Sequence, residues 1–410
     1  MKLTQMILDE MNNVSKAQKQ FFNILMQTIV SMYGHVNFRS LSRYSELSEK
    51  TFRRWFKTSF DFCEFNLKAI SRVLKPHNEV IAAFDQSFVD KAGKMTWGKA
   101  FFWNGCAAKA EKGLELCLCS LIDVGKNIAY ALSAEQTPPD NEKIKTRTKG
   151  SSELSRIDFY LSCIERSCLA ILKYTRYFAF DCYFSKKKFV DGVVKMGFHF
   201  IGKLRTDANL RMLYHGEQKK GPGRPKKFTG KCNIAKLEGF SFELDIDDKT
   251  KLYSGIFYHA SLERVIKVVA AVQTKNNKIG IALFFSTDLL LHAFKIYRYY
   301  KARFQIEFVF RDANQFTALG DCQSRNKESL HFHFNASFSA LNLVKIQEQL
   351  DYPNYRYDAP FSMASHKARF HNESLIERFF SMLEYDLSLI KSTPLYYEML
   401  NYGTIFFRGV

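Results

Sequence analysis

Tyr300, Arg303, Glu307, Arg311 and Asn314 recur at helical spacing. At about 100° per residue they fall within one arc of roughly 80° on a single helix face. Ile306 and Phe310 flank the arc on one side, and Phe304 and Phe308 on the other. A polar stripe between apolar walls is expected to face a site rather than bulk water, with a carboxylate at its centre. Such a carboxylate costs free energy unless a cation stands against it, and Arg303, one turn earlier, supplies part of that charge. Two further acids follow strand-like runs upstream: Asp85 after residues 80–84 and Asp181 after 177–180. Three acids converging from separate elements point to a divalent-metal site. Mg²⁺ suits it, a hard cation held by a few carboxylates and completed by substrate phosphates.

The elements that must position these acids are legible as changes of texture. Strand-like runs occur at 80–84, 101–107 and 114–124. A polar stretch rich in Lys and Thr, about 135–150, leads into a helix over 152–174. A strand over 177–181 follows, then a helix opened by Ser185, with Lys186, Lys187 and Lys188 in its first turn, and a strand over 198–203. The span from Asp181 to Glu307 far exceeds a strand–turn–helix connection, so a β-rich insertion over 204–287 is expected, with strands at 240–246, 252–258, 265–273 and 279–285. Beyond Phe316 the chain reads as helical, most clearly at 332–349 and 375–389.

Residues 1–75 also read as helical and carry a helix-turn-helix pattern, 38–44 and 49–56, the second helix capped by Ser48. Lys50, Arg53 and Arg54 on that second helix suit the DNA major groove. The most basic loop is 219–227. Its Gly223-Arg224-Pro225 centre with Lys226 and Lys227 fits either the minor groove of A·T-rich DNA or phosphates alone.

Composition bounds the partners. The chain of 410 residues carries a net charge of +19 with 46% hydrophobic and 15% aromatic residues. It can bury a large core, and its charge favours a polyanion, most simply nucleic acid. The greasiest stretch, 279–291, is polar at Ser286, Thr287 and Asp288 and too short to span a bilayer. The N-terminus lacks the pattern of a signal peptide, and the nine cysteines show no paired spacing, which reads as reduced thiols in a cytoplasm.

The Tyr300-x2-Arg303-x3-Glu307 run resembles the signature around the last acid of insertion-sequence transposases of the Asp-Asp-Glu (DDE) type. Residues 285–288 and 319–325 resemble its flanks, 84–91 its first-Asp strand and 180–185 its second. The resemblance covers roughly 75–345. It implies an α/β fold with an RNase H-like (retroviral-integrase-like) catalytic core in two parts, 76–203 and 288–345. An inserted β-rich domain (204–287) separates them, with an α-helical DNA-binding domain (1–75) before and a helical C-terminal region (346–410) after. It implies a bacterial, nucleoid-associated enzyme acting on double-stranded DNA, both transposon ends and target, as a homodimer in the synaptic complex. Asp85, Asp181 and Glu307 would hold two Mg²⁺ ions, with Mn²⁺ as a substitute, Asp85 bridging them, and Tyr300 and Arg303 would contact DNA; Arg311 and Asn314, on the same face, are further candidate DNA contacts. One position departs: seven residues after Glu307 the family has Lys, and here stands Asn314. Two alternatives stay open, an RNase H-like nuclease without strand transfer and an inactive, transposase-derived DNA-binding regulator, and Asn314 leans only towards the second.

Overall fold

Side-chain caps set the starts of the leading helices. After α1 (Lys2–Asp9), Ser15, Asn37, Ser48 and Asp61 each accept a first-turn backbone N–H. They open α2 (Lys16–Ser31), α3 (Phe38–Arg43), α4 (Glu49–Trp55) and α5 (Phe62–Ile70). The core follows as β1 (Val80–Asp90), β2 (Ala100–Asn104), β3 (Lys109–Asp123), β4 (Ile128–Gln136), α6 (Arg156–Leu172), β5 (Tyr177–Phe180), α7 (Lys187–Lys195) and β6 (His199–Leu204). Next come β7 (Leu210–Leu213), β8 (Phe228–Lys231), β9 (Ser241–Asp247), β10 (Thr250–His259), β11 (Arg264–Lys275) and β12 (Lys278–Ser286). The chain ends in α8 (Ala293–Ala302), α9 (Gln305–Phe316), α10 (Lys327–Asp351), α11 (Met363–Met382) and α12 (Pro394–Leu400). This computed structural model describes residues 2–139, 155–218, 224–275, 278–351 and 361–405. Most of the polar stretch 135–150 and residues 219–223 of the basic loop lie outside them.

One sheet of 12 strands runs in the order β2-β3-β1-β5-β6-β12-β11-β10-β7-β8, with β4 also paired to β3 and β9 to β10. β1, β5 and β6 are parallel neighbours, and β3 lies antiparallel to β1. Several features depart from the sequence reading, among them the C-terminal helix expected over 375–389, which spans Met363–Met382 instead. β1 continues five residues beyond Asp85, to Asp90, because the polar run after Phe84 is paired throughout with β3. β4 was not foreseen: Ala129, Ala131 and Ala134 give it weak strand propensity, and pairing with β3 overrides that. The inserted strands do not stand apart from the core. β12 pairs with β6 over 283–286 against 201–204, which closes the edge that β6 would otherwise leave open.

The outer edge of β4 is closed by side chains instead of a strand. Within α10 every residue from Ser329 to Ile346 except His331 is buried, so the helix shows no polar face, yet it carries two asparagines aimed at this edge. Asn335 bonds both the N–H and the C=O of Ala134, at 2.9 Å each. Asn342 does the same to Ala131, at 3.0 and 2.6 Å, and also donates to Asn66 of α5 at 3.1 Å. Asn66 in turn donates to the Leu132 C=O, and Lys345 to that of Ala129. The leading helices thus share a single hydrophobic core with the sheet. Asn342→Ala would orphan two buried backbone groups, and we expect a loss of about 3 kcal/mol in urea unfolding. Gln347→Ala, on the part of α10 that reaches solvent, should cost under about 0.5 kcal/mol.

Candidate active site

β1 and β5 pair in parallel from Ala82 opposite Phe178 to Phe84 opposite Phe180. The next residue on each chain is an acid, Asp85 and Asp181. β5 ends there, and Asp181 opens a short 3₁₀ turn in which its C=O accepts the Phe184 N–H at 3.1 Å. Both acids therefore lie where the parallel strands part at their carboxyl ends, the place where α/β sheets leave a crevice. Beneath them Phe178, Phe180, Phe200 and Phe285 stack in sequence, with centroids 4.6, 4.6 and 5.3 Å apart, and Phe180 packs on Phe189 of α7.

The third acid arrives on α9. The stripe from Tyr300 to Asn314 is not one unbroken helix: α8 ends at Ala302 and α9 begins at Gln305. Through the joint the backbone tightens to three-residue hydrogen bonds, Phe304 N to Lys301 O, Ile306 N to Arg303 O and Glu307 N to Phe304 O. Only one of the expected apolar walls belongs to the core. Ile306 and Phe310 are buried, whereas Phe304 is exposed and packs edge-on against half-buried Phe308 at 5.2 Å. α8 is anchored upstream of the site, since Arg298 and Tyr299 both bond the Glu79 carboxylate at 2.8 Å, just before β1 begins. Nothing local in the sequence marks Glu79, whose partners lie more than two hundred residues away.

Arg303, in the joint, is turned inward and only 7% exposed. Its Nη1 lies 2.9 Å from Asp85 Oδ2 and its Nη2 lies 3.1 Å from Glu307 Oε1, while its Nε is buried without a partner. Tyr300 lies under the guanidinium, 5.7 Å from ring centroid to Cζ, and against Phe284. Burial pushes the Asp85 carboxyl up to about 6; Arg303 and the Gln86 N–H oppose that shift, and Asp181 and Glu307 reinforce it. Burial would lower the Arg303 pKa, but Asp85, Tyr300, Asp181 and Glu307 outweigh it and raise it. Burial likewise lifts the Tyr300 hydroxyl to about 12. Among the described residues no three metal-ligating side chains of the His, Cys, Asp or Glu type are grouped as a ready-made metal site. The guanidinium stands between two of the three acids.

The other candidate residues are more dispersed. Arg311 is exposed on α9, paired to Asp312 at 2.8 Å and laid over Phe308, and Asn314 is exposed one turn later. Lys186 lies over the Tyr183 ring, Lys187 pairs with Asp191 and Lys188 with Asp158, so this run is engaged with its neighbours. Arg224, Lys226 and Lys227 are exposed between β7 and β8, with the Lys226 ammonium over Tyr214. On α4 Lys50, Arg53 and Arg54 are exposed; Arg53 pairs with Glu49 and Arg54 lies over Trp55. None of these groups is brought to the three acids.

A family model described as "Transposase DDE domain" matches residues 80–343, which contain all three acids and the whole sheet. No curated protein matches the chain.

The raised Asp85 pKa makes a signed prediction. Its folded value lies above the ordinary 3.8, so the stability it contributes is present below about pH 4 and lost as pH rises through about 6. In metal-free buffer Asp85→Asn should therefore be more stable than the native chain near pH 7, by about 1–3 kcal/mol. That advantage should shrink as the pH falls towards about 4, as read by urea unfolding along a pH series.

Proposed function

Because the chain belongs to the transposases that carry a DDE domain, we propose that it is the transposase of a bacterial insertion sequence. It binds the element's terminal inverted repeats, and a homodimer holds two ends together. It nicks the ends by hydrolysis and joins the freed 3′ hydroxyls to target DNA, acting on the DNA of the nucleoid. The observation that carries this reading is a guanidinium buried against Asp85 and Glu307, with Asp181 at the end of the parallel strand beside Asp85. The order β4-β3-β1-β5-β6, with β3 alone reversed, supports an RNase H-like core.

The donors are hard carboxylate oxygens, and three of them with one guanidinium sum to a charge of about −2, so the set fits Mg²⁺, or Mn²⁺ in its place. Asp85, Asp181 and Glu307 would hold two such ions, which would supply charge neutralisation at phosphorus and activation of the attacking oxygen. Arg303 covers Asp85 and Glu307 in the free protein. Its planar fork matches a phosphate as well as a carboxylate, so an arriving DNA backbone draws it from the acids and is oriented by it. Tyr300, packed beneath, limits where the guanidinium can go. Arg311, one turn from Asn314 on the exposed face of α9, brings to that face the positive charge that Asn314 lacks. Lys50, Arg53 and Arg54 engage the terminal repeats through α4, while Lys186, Lys187, Lys188, Arg224, Lys226 and Lys227 meet phosphates further out.

Asp85→Asn and Glu307→Gln should each lower Mg²⁺-dependent nicking by about a thousandfold or more, while affinity for a terminal-repeat duplex changes by less than about threefold. Native-like nicking by either variant would sink the assignment. With pre-cut ends and Mg²⁺ the native chain should yield joined products, whereas a nuclease without strand transfer yields none.

A further inference from the structure

Beyond Asp85, β1 leaves the parallel core and continues as a ribbon with β3. Pairing runs without a register shift from Asp85 opposite Leu118 to Asp90 opposite Gly113. β2 then takes over, from Ala100 opposite Gly113 to Asn104 opposite Lys109. Side chains alternate between the faces of a strand. Lys112 and Ala110 therefore share the face of Leu118 and Asp85, and so do their cross-strand partners Phe101 and Trp103. At a rise of about 3.4 Å per residue, Phe101 stands roughly 20 Å and Trp103 roughly 27 Å along the ribbon from Asp85.

Both rings are open to solvent, Phe101 at 65% and Trp103 at 63%. Phe102, between them on the opposite face, is buried under the Arg156 guanidinium. Two large exposed aromatics on an edge strand are a liability unless something covers them in use. The cations nearby indicate what. Lys112 is exposed opposite Phe101 and has no ion-pair partner among the described residues. The connection between α9 and α10 is tied to the β1–β2 loop by the Trp97 N–H, which donates to the Arg325 C=O at 2.9 Å. That tie brings exposed Arg325 and Lys327 to the base of the ribbon. Ring faces interleaved with cations suit an unpaired nucleic-acid strand, whose bases stack and whose phosphates are neutralised.

We propose that the β2–β3 ribbon is a platform for unpaired DNA, on which Phe101 and Trp103 stack bases of the strand leaving the carboxylate site. The proposal rests on the transposase reading and adds a ligand that the reading does not require, single-stranded rather than duplex DNA. The full chain is titrated in metal-free buffer with a blunt duplex and with the same duplex carrying a single-stranded tail. Replacing both rings (Phe101→Ala with Trp103→Ala) should weaken binding of the tailed duplex by about tenfold or more and leave blunt-duplex affinity within about twofold. Trp103→Phe should keep most of the affinity but lose the quenching of tryptophan emission that the tailed duplex causes in the native chain. Unchanged affinity of the double variant for the tailed duplex overturns the proposal. So does a double variant that sediments as a smaller species with its DNA affinities intact, since the ribbon would then be a contact between copies. Neither readout depends on cleavage, so a chain that binds tailed DNA through these rings but never nicks would count against the transposase reading and not against the platform.

Discussion

One guanidinium holds the site together. Arg303 is nearly buried, and its charge is balanced there by Asp85 and Glu307 at hydrogen-bonding distance and by the field of Asp181. The dependence runs in both directions. Without Arg303 the carboxylates would face one another across a poorly solvated crevice, where like charges raise each other's pKa. Burial already pushes the Asp85 carboxyl up to about 6 despite the ion pair, and Asp181 and Glu307 add to that shift. Arg303 lies in the break between α8 and α9, where the backbone tightens. A loop held by packing at both ends, through Glu79 on one side and Ile306 and Phe310 on the other, can place such a charge and also release it.

The sheet and its packing fix the end of the β1–β5 pairing and the start of α9 against each other. Parallel pairing of β1 with β5 puts Asp85 and Asp181 side by side without any contact between their side chains being needed. The aromatic stack under them leaves little room for shear. α10 runs through the middle of the molecule and binds β4, the outer strand of the core, through asparagine side chains that imitate a neighbouring strand. The same helix packs on the leading helices, so a duplex held by α4 would sit on the same rigid framework as the acids.

The acids were legible because their chemistry is local: a polar residue at the end of an apolar strand, and a carboxylate in a helical stripe, are both visible within a few residues. The family match over 80–343 agrees with the transposase resemblance drawn from those runs. What could not be read depends on partners far along the chain. β4 looks too rich in alanine to be a strand until β3 is beside it, and the second half of β1 looks too polar until β3 pairs with it. The insertion was visible as a block of strand formers, but its continuity with the core sheet rests on β12 meeting β6. Lys187 and Lys188 read as a free basic run, and their acidic partners Asp191 and Asp158 become apparent only when the helices pack. The asparagines of α10 gave no periodic signal because nearly every face of that helix is buried.

If Arg303 and a divalent metal compete for the same carboxylates, as proposed, DNA should decide between them. Calorimetric titration of Mn²⁺ into the full chain tests that competition directly, with and without a terminal-repeat duplex and with Arg303→Ala. The native chain alone should bind Mn²⁺ weakly. Binding should be about tenfold or more tighter when the duplex is present, with a comparable gain in Arg303→Ala without DNA. Equal Mn²⁺ affinity in all three states would contradict the competition.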